Sequence, residues 1–79
     1  MCRKVYVDVI AKFSRDGHLN PQAIIFEDDI RYEVDRVLDM RQAASLKAGG
    51  TGMRYTVRIG GVETYVFLEE NRWFVEAKQ

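Results

Sequence analysis

The sequence predicts an all-β domain, a small six-stranded antiparallel barrel of the SH3-like kind, and two hairpin turns carry most of that prediction. The first turn is Gly60-Gly61, a dipeptide suited to a two-residue turn with a positive φ at both positions. This turn opposes Arg58 to Glu63 on the outward face of the hairpin. On the inward face it pairs Ile59 with Val62, Val57 with Thr64, and Tyr55 with Val66.

The second turn, Glu70-Asn71, agrees with the first. It pairs Leu68 with Trp73 on the inward face and Glu69 with Arg72 on the outward face. Both turns direct the same face of the middle strand inward, so the register is fixed from two sides. We therefore expect a β-meander with strands at residues 53–59, 62–69 and 72–77.

Strict alternation predicts the first strand at residues 4–13. Val5, Val7 and Val9 share one face, and polar residues occupy most positions between them. A period of two favours a strand over a helix. The dipeptide Asn20-Pro21 is then expected to stop regular structure, because proline lacks a backbone N–H.

Two further strands are predicted before the meander. The second strand covers residues 23–27, and a tight turn at Asp28-Asp29 leads into a long third strand at residues 30–40. The alternation of the third strand is interrupted where Arg36 stands beside Val37. This interruption predicts a bend or bulge, as a strand at a barrel corner requires.

The segment 41–52 breaks the alternation and separates the third strand from the meander. Its first part, residues 41–48, is rich in Ala, Leu, Gln and Lys, so we expect a short helical turn there. A strongly bent sheet leaves the least exposed edge in so small a chain, which favours the SH3-like barrel. The alternative is an OB-like five-stranded barrel, whose helix between strands three and four has barely enough residues here.

Composition indicates one domain in a reducing compartment. The chain has 79 residues, and 12 basic side chains balance 12 acidic ones, so no overall basic field indicates nucleic-acid binding. Cys2 is the single cysteine and cannot form an intrachain disulfide. No apolar stretch approaches the roughly 20 residues of a membrane helix, and the N-terminal alternation does not resemble a signal peptide. We expect a cytoplasmic protein with no membrane partner.

The sequence contains no recognisable catalytic constellation, so we do not expect an enzyme. His18 is the only histidine and lies in a polar turn, far along the chain from Cys2. Glu27, Asp28 and Asp29 are adjacent and lack the spacing of a calcium loop, so we interpret them as a solvated turn. No catalytic site, metal site or cofactor is predicted.

A glycine-rich loop beside basic residues is the first candidate site. Clustered backbone N–H groups near a lysine can bind an anion, although these glycines precede a strand, whereas those of a phosphate-binding loop precede a helix. A flexible connector is the alternative interpretation. This candidate basic loop comprises Arg41, Lys47, Gly49, Gly50 and Gly52.

An aromatic strip on the outward face of the meander is the second candidate site, and we call it the outer strip. The registers place Phe67 between Arg54 and Phe74. If the strip is a stacking platform, we expect the Arg54 cation to lie over Phe67. Three interpretations stay open: the 41–52 loop or the N-terminal strand covers the strip, a second copy does, or it stacks on single-stranded nucleic acid or a peptide. The outer strip comprises Tyr65, Phe67, Phe74 and Arg54.

The inward faces of the strands define the predicted core. Its members are large apolar and aromatic residues from every strand except the second: Val5, Val7, Val9, Tyr32, Val34, Leu38, Tyr55, Val57, Val66, Leu68, Trp73 and Val75.

Residues 24–77 contain a pattern of aromatic and apolar residues, which consists of Phe26, Tyr32-Glu33-Val34, Arg36-Val37-Leu38, Tyr55-Thr56-Val57, Tyr65, Leu68, Trp73 and Val75. This pattern resembles a group of small uncharacterised bacterial β-barrel proteins of the SH3-like kind. Some members of that group are encoded near error-prone DNA polymerases. This chain departs from the group at Phe26, where tryptophan is common, and in its glycine-rich insert at residues 49–52. The resemblance implies a bacterial cytoplasmic barrel and assigns no activity.

The function that these observations favour is an interaction module that contacts a protein partner or a second copy of itself. One alternative is weak binding of single-stranded nucleic acid through the outer strip with Arg41 and Lys47. Another is binding of an anion or a small molecule at the glycine-rich loop.

Overall fold

The computed structural model describes residues 2–44 and 51–78, which form seven antiparallel strands and no helix. The strands are β1 (Cys2–Phe13), β2 (Leu19–Ile25), β3 (Arg31–Glu33), β4 (Arg36–Ala44), β5 (Thr51–Ile59), β6 (Val62–Glu69) and β7 (Arg72–Lys78). They make one sheet in the order β3-β2-β1-β7-β6-β5-β4. The sheet curls into a half-barrel whose concave face holds the core, and we call its other face convex. The all-β class is therefore confirmed.

The predicted third strand, residues 30–40, is two strands in the structure. β3 and β4 lie at opposite edges of the sheet, joined by Val34 and Asp35. The Val34 N–H donates to the carbonyl of Gln22 at 2.9 Å, and the Asp35 N–H donates to the carbonyl of Arg58 at 2.8 Å. This short link ties both edges of the curled sheet together. The prediction of six strands is wrong because the bend gives each half of the strand a different neighbour.

β4 contains a bulge at Leu38, where its register with β5 shifts between Val37 and Asp39. Val37 and Met40 pack against the core, whereas Leu38 is exposed. The extra residue reverses the alternation, so the predicted core position of Leu38 is wrong and the predicted bulge is found one residue further along. Tyr32, also predicted as core, is exposed on β3.

The helical turn expected at residues 41–48 is not found in the part that the structure describes. Residues 41–44 continue β4 and pair with residues 51–54 of β5, and residues 45–50 lie outside the described residues. Pairing along a neighbouring strand overrides the modest helix propensity of Ala and Gln.

The C-terminal meander has the predicted registers. Residues 53–59 of β5 pair with residues 62–68 of β6 in the expected order, and β6 pairs Leu68 with Trp73 and Glu69 with Arg72 of β7. At the first turn φ is 58° for Gly60 and 81° for Gly61, and at the second it is 51° for Glu70 and 65° for Asn71. Both turns thus have the left-handed conformation that matches the twist of the hairpin.

β1 changes its neighbour halfway along. Its first half, Cys2 to Val7, pairs with β7, and its second half, Asp8 to Phe13, pairs with β2. β2 begins at Leu19, so the expectation that Asn20-Pro21 stops regular structure is wrong. Pro21 lies where the register of β2 shifts, a bulge at which a strand tolerates proline.

The core lies on the concave face as the alternation predicts for most positions. Its buried cluster consists of Val5, Val7, Ile24, Tyr55, Val57 and Val66. Val9, Val34, Leu68, Trp73 and Val75 pack against this cluster and are partly buried. Ile24 is a core residue that the predicted set omitted.

Candidate interaction sites

The outer strip lies on the convex face with the neighbours that the registers predict. Phe67 on β6 pairs with Arg54 on β5 and with Phe74 on β7. Tyr65, two residues before Phe67 on the same face of β6, pairs with Thr56 on β5. The structure therefore brings the four residues of the strip together on three adjacent strands.

Two rings of the outer strip are buried. Phe67 is 6% exposed and Phe74 is 1% exposed. The two rings stack with centroids 5.1 Å apart and planes 7° apart, and Tyr6 packs edge-on against Phe74 with a centroid separation of 5.9 Å. The Lys4 ammonium nitrogen lies 4.6 Å from the Phe74 centroid. Side chains of the N-terminal strand thus cover Phe74.

Arg54 covers Tyr65 instead of Phe67. Its guanidinium carbon lies 4.6 Å from the ring centroid of Tyr65, so the predicted cation over Phe67 is wrong. Arg54 Nε is buried and has no hydrogen-bond acceptor among the described residues, and Tyr65 keeps 50% of its surface exposed. Stacking of a base requires an exposed ring face. Of the three rings in the outer strip, Tyr65 alone offers one.

The candidate basic loop is described only in part. Arg41 lies on β4, and its Nε donates to Asp39 Oδ2 at 2.8 Å. Lys47, Gly49 and Gly50 lie outside the described residues. Gly52 belongs to β5, where an added Cβ would lie 2.4 Å from the carbonyl oxygen of Leu68. Close approach of two strands therefore accounts for this glycine, and the described residues bring no anion site together.

Ser14, Asp16 and His18 meet in the turn between β1 and β2. The Ser14 hydroxyl donates to Asp16 Oδ1 and lies 3.0 Å from the His18 carbonyl oxygen, and His18 Nδ1 lies 3.5 Å from Asp16 Oδ2. The hydrogen bond from Ser14, followed by the interactions with His18, lowers the pKa of Asp16. In a nucleophilic triad the histidine lies between serine and carboxylate, whereas here the carboxylate lies between the other two. This arrangement orders a turn and does not activate Ser14.

An apolar groove opens on the concave face at the end of the β5–β6 hairpin. Its volume is about 470 Å³, and its apolar walls are Phe26, Tyr32, Ile59 and Val62. Phe26 and Tyr32 meet edge to face with centroids 5.2 Å apart. Val62 faces the concave side and is nevertheless 65% exposed. The half-barrel is open here, so apolar side chains that a closed barrel would bury form a solvent-facing groove.

The charged residues that line the groove are both acidic, Glu27 and Asp28. Asp28 Oδ1 accepts a hydrogen bond from the Ile30 N–H at 3.1 Å, which orders the loop between β2 and β3. Glu27 has a long ion pair with Arg3, 3.4 Å between Oε1 and a guanidinium nitrogen, and both side chains are exposed. An exposed pair of this kind holds its carboxylate weakly. The groove thus combines an apolar floor with a negatively charged rim.

Sequence reasoning missed this groove because it depends on how far the sheet closes. The alternation correctly directed Ile59 and Val62 inward, but no pattern in the sequence shows whether another strand covers the concave end of that hairpin. One signal was available: Phe26 and Tyr32 are two aromatic residues on either side of an acidic turn. Turns lie on the protein surface, so aromatic residues next to one can line a surface groove.

Comparisons with known proteins give no relative for this chain. No family model matches it, no curated protein matches it, and no solved structure matches it. The resemblance to small bacterial barrels therefore stays a prediction.

Among residues 2–44 and 51–78, no group of three or more His, Cys, Asp or Glu side chains could hold a metal ion. In the same part of the chain, no helix is long and apolar enough to cross a membrane.

Proposed function

We propose that this chain is a non-enzymatic interaction module whose groove binds an extended segment of a protein partner. The observation that carries the proposal is the groove itself, an apolar surface bounded by Tyr32 and Val62 with Glu27 and Asp28 at its rim. Exposed apolar surface rimmed by polar residues is typical of interaction sites. The negative rim selects a partner segment with an apolar side chain next to lysine or arginine.

The dimensions of the groove fit that occupant. A volume of about 470 Å³ accommodates one or two large side chains. β3 borders the groove, and in the described residues its ladder partner is β2 alone. An extended segment could add to that free edge through backbone hydrogen bonds while its side chain enters the groove.

We also propose that the half-barrel is of the SH3-like kind and that the protein works in the cytoplasm. The short link at Val34 and Asp35 supports the SH3-like assignment, because it places β3 at one edge of the sheet and β4 at the other. A single cysteine, Cys2, supports the location in the cytoplasm.

Selection from a random peptide library tests the groove. Phage displaying random heptapeptides are selected on the immobilised protein, and the selected sequences are synthesised and their affinity measured by fluorescence anisotropy. We expect sequences with an aromatic or aliphatic residue beside Lys or Arg. Val62→Asp places a charge in the groove at an exposed position, and we expect it to weaken binding at least tenfold while leaving the melting temperature unchanged within a few degrees.

Leu38→Ser is the matched control, because Leu38 is an exposed apolar residue of β4 that does not line the groove. It should leave peptide affinity unchanged. Selection of acidic peptides, or equal loss of affinity in Val62→Asp and Leu38→Ser, would contradict the proposal.

The alternative function, weak binding of single-stranded nucleic acid through Arg41, Lys47, Arg54 and the outer strip, stays a prediction. Burial of Phe67 and Phe74 leaves Tyr65 as the exposed ring of the strip. Phosphate contacts weaken steeply as salt rises, so an oligonucleotide titration at low and high salt separates this function from peptide binding in the groove.

A further inference from the structure

The second half of β1 presents an open edge. β1 pairs with β7 only as far as Val7, and from Asp8 to Phe13 its ladder partner among the described residues is β2, on the other side. The backbone groups on the β7 side of this half therefore face outward over six residues. An open strand edge of this length is a template for pairing with another chain.

The sequence of this edge is complementary to itself. When two copies pair antiparallel about Ile10, each Asp8 stands opposite the Lys12 of the other copy, and Val9 stands opposite Ala11. Opposite charges directly across an antiparallel pair are favourable, and so are apolar pairs. A two-fold axis through Ile10 makes every such contact twice.

The side chains of this edge are available for such pairing. Ile10 is 44% exposed and Phe13 is 72% exposed. Asp8 and Lys12 are exposed and form no ion pair with any other residue that the structure describes. The two charges that the register would oppose thus have no competing partner to give up.

A cavity lies where the open edge begins. Its volume is about 360 Å³, and its walls include Val7, Val9, Arg72 and Trp73. In the register centred on Ile10, pairing with the second copy ends at Asp8, because Trp73 already pairs with Val7, and the Phe13 of the second copy follows at this cavity. Its ring would bury apolar surface that the monomer leaves in water.

We propose that this protein forms a two-fold symmetric dimer through the open edge of β1, with the Asp8 of each copy paired to the Lys12 of the other. The two sheets then continue as one across the axis. This interface is separate from the groove, and either proposal can fail without the other.

Charge exchange between two variants tests the register. Sedimentation of the parent should give about twice the 9.2 kDa monomer mass at micromolar concentration. In a dimer of Asp8→Lys, or in a dimer of Lys12→Asp, residues 8 and 12 that face each other carry the same charge at both symmetric contacts. Each single variant should therefore raise the dissociation constant about tenfold. A mixture of these two single variants restores opposite charges at both pairs, and it should dimerise about as tightly as the parent.

Ile10→Lys disrupts the centre of the interface without touching the core, and Leu38→Lys is the matched control at an exposed position of β4. We expect a monomer for Ile10→Lys and a dimer for Leu38→Lys, with unchanged circular dichroism for both. A parent that stays monomeric at hundreds of micromolar, or a mixture no tighter than the separate single variants, would overturn the proposal.

Discussion

Lys4 on β1 and Glu69 on β6 form an ion pair with an Nζ–Oε1 distance of 3.3 Å, although β7 separates their strands. The ladder partner of Lys4 is Glu76, and that of Glu69 is Arg72. The Lys4 side chain therefore crosses β7, and its ammonium lies 4.6 Å from the Phe74 centroid. The ion pair and the aliphatic stem of Lys4 cover a second, small apolar cluster on the convex face.

Truncation of Phe74 tests whether this convex cluster stabilises the fold. Phe74 is fully buried and stacks on Phe67, so Phe74→Ala should lower the free energy of unfolding by about 3–5 kcal/mol. That is a large share of the about 4–12 kcal/mol expected for a chain of this length. Urea denaturation measures the loss, and Phe74→Leu provides a milder variant if the alanine form does not fold.

The control for this prediction is Lys4→Met, which removes the charge and keeps a long apolar side chain over Phe74. A partly exposed ion pair contributes little, so we expect a loss below about 1 kcal/mol. A Phe74→Ala protein as stable as the parent would show that the convex face does not bury its rings in solution.

The second hairpin turn, Glu70-Asn71, can be made more stable by substitution. Glu70 and Asn71 both have a positive φ, 51° and 65°, although a glutamate side chain disfavours that conformation. Asn-Gly is the preferred pair for such a turn. Glu70→Asn with Asn71→Gly should therefore raise the stability by about 1 kcal/mol and the melting temperature by about 4–8 °C. Calorimetry measures the shift, and an unchanged or lower melting temperature would argue against this turn geometry.

The meander was predictable because its two turns each specify a register, and the registers agree at the middle strand. The same logic fails at Leu38, where no turn pins the strand and a bulge reverses the inward face. The interruption beside Val37 showed only that some irregularity occurs. Tyr32 does face inward, opposite Ile24, but it stays exposed because β3 is an edge strand at the open end of the sheet.

The candidate sites were less predictable than the strands. Alternation placed Phe74 on the convex face correctly. Its burial, however, depends on Lys4, which lies 70 positions earlier in the chain. The two residues meet because β1 pairs with β7, and no local sequence pattern indicates that pairing. The groove at Val62 likewise depends on the closure of the sheet. Local patterns specify faces and registers, whereas the cover over a face is a tertiary property.

Gly52 should be intolerant of any side chain. An added Cβ would lie 2.4 Å from the Leu68 carbonyl oxygen and 3.2 Å from the Cα of Glu69, both of them backbone atoms of β6. Gly52→Ala should therefore lower the free energy of unfolding by about 1–3 kcal/mol, measured by urea denaturation.

Gly17 is the control, because it has open space around it and a φ of 88°. Asparagine tolerates a positive φ better than alanine does. Gly17→Asn should thus be more stable than Gly17→Ala, whereas Gly52→Asn should be no better than Gly52→Ala. If Gly52→Asn were more stable than Gly52→Ala, the backbone conformation at position 52, and not the close approach of β6, would require the glycine.

Tyr55 should make the stability fall at alkaline pH. Burial raises the pKa of its phenol above the ordinary value of 10.0 because the charged form loses hydration. In the unfolded chain this phenol ionises near pH 10, so its contribution to stability is fully present below that pH and is lost as the pH rises through the folded-state pKa.

Two measurements check this prediction, absorbance of tyrosinate at 295 nm and urea denaturation between pH 8 and pH 12. In the parent, Tyr55 should ionise above pH 10, and this late ionisation should be lost in Tyr55→Phe. The free energy of unfolding should decline more steeply above pH 10 in the parent than in Tyr55→Phe, because phenylalanine has no proton to lose. Identical slopes in the two proteins would show that Tyr55 is hydrated in the folded state and that the centre of the concave core is open to water.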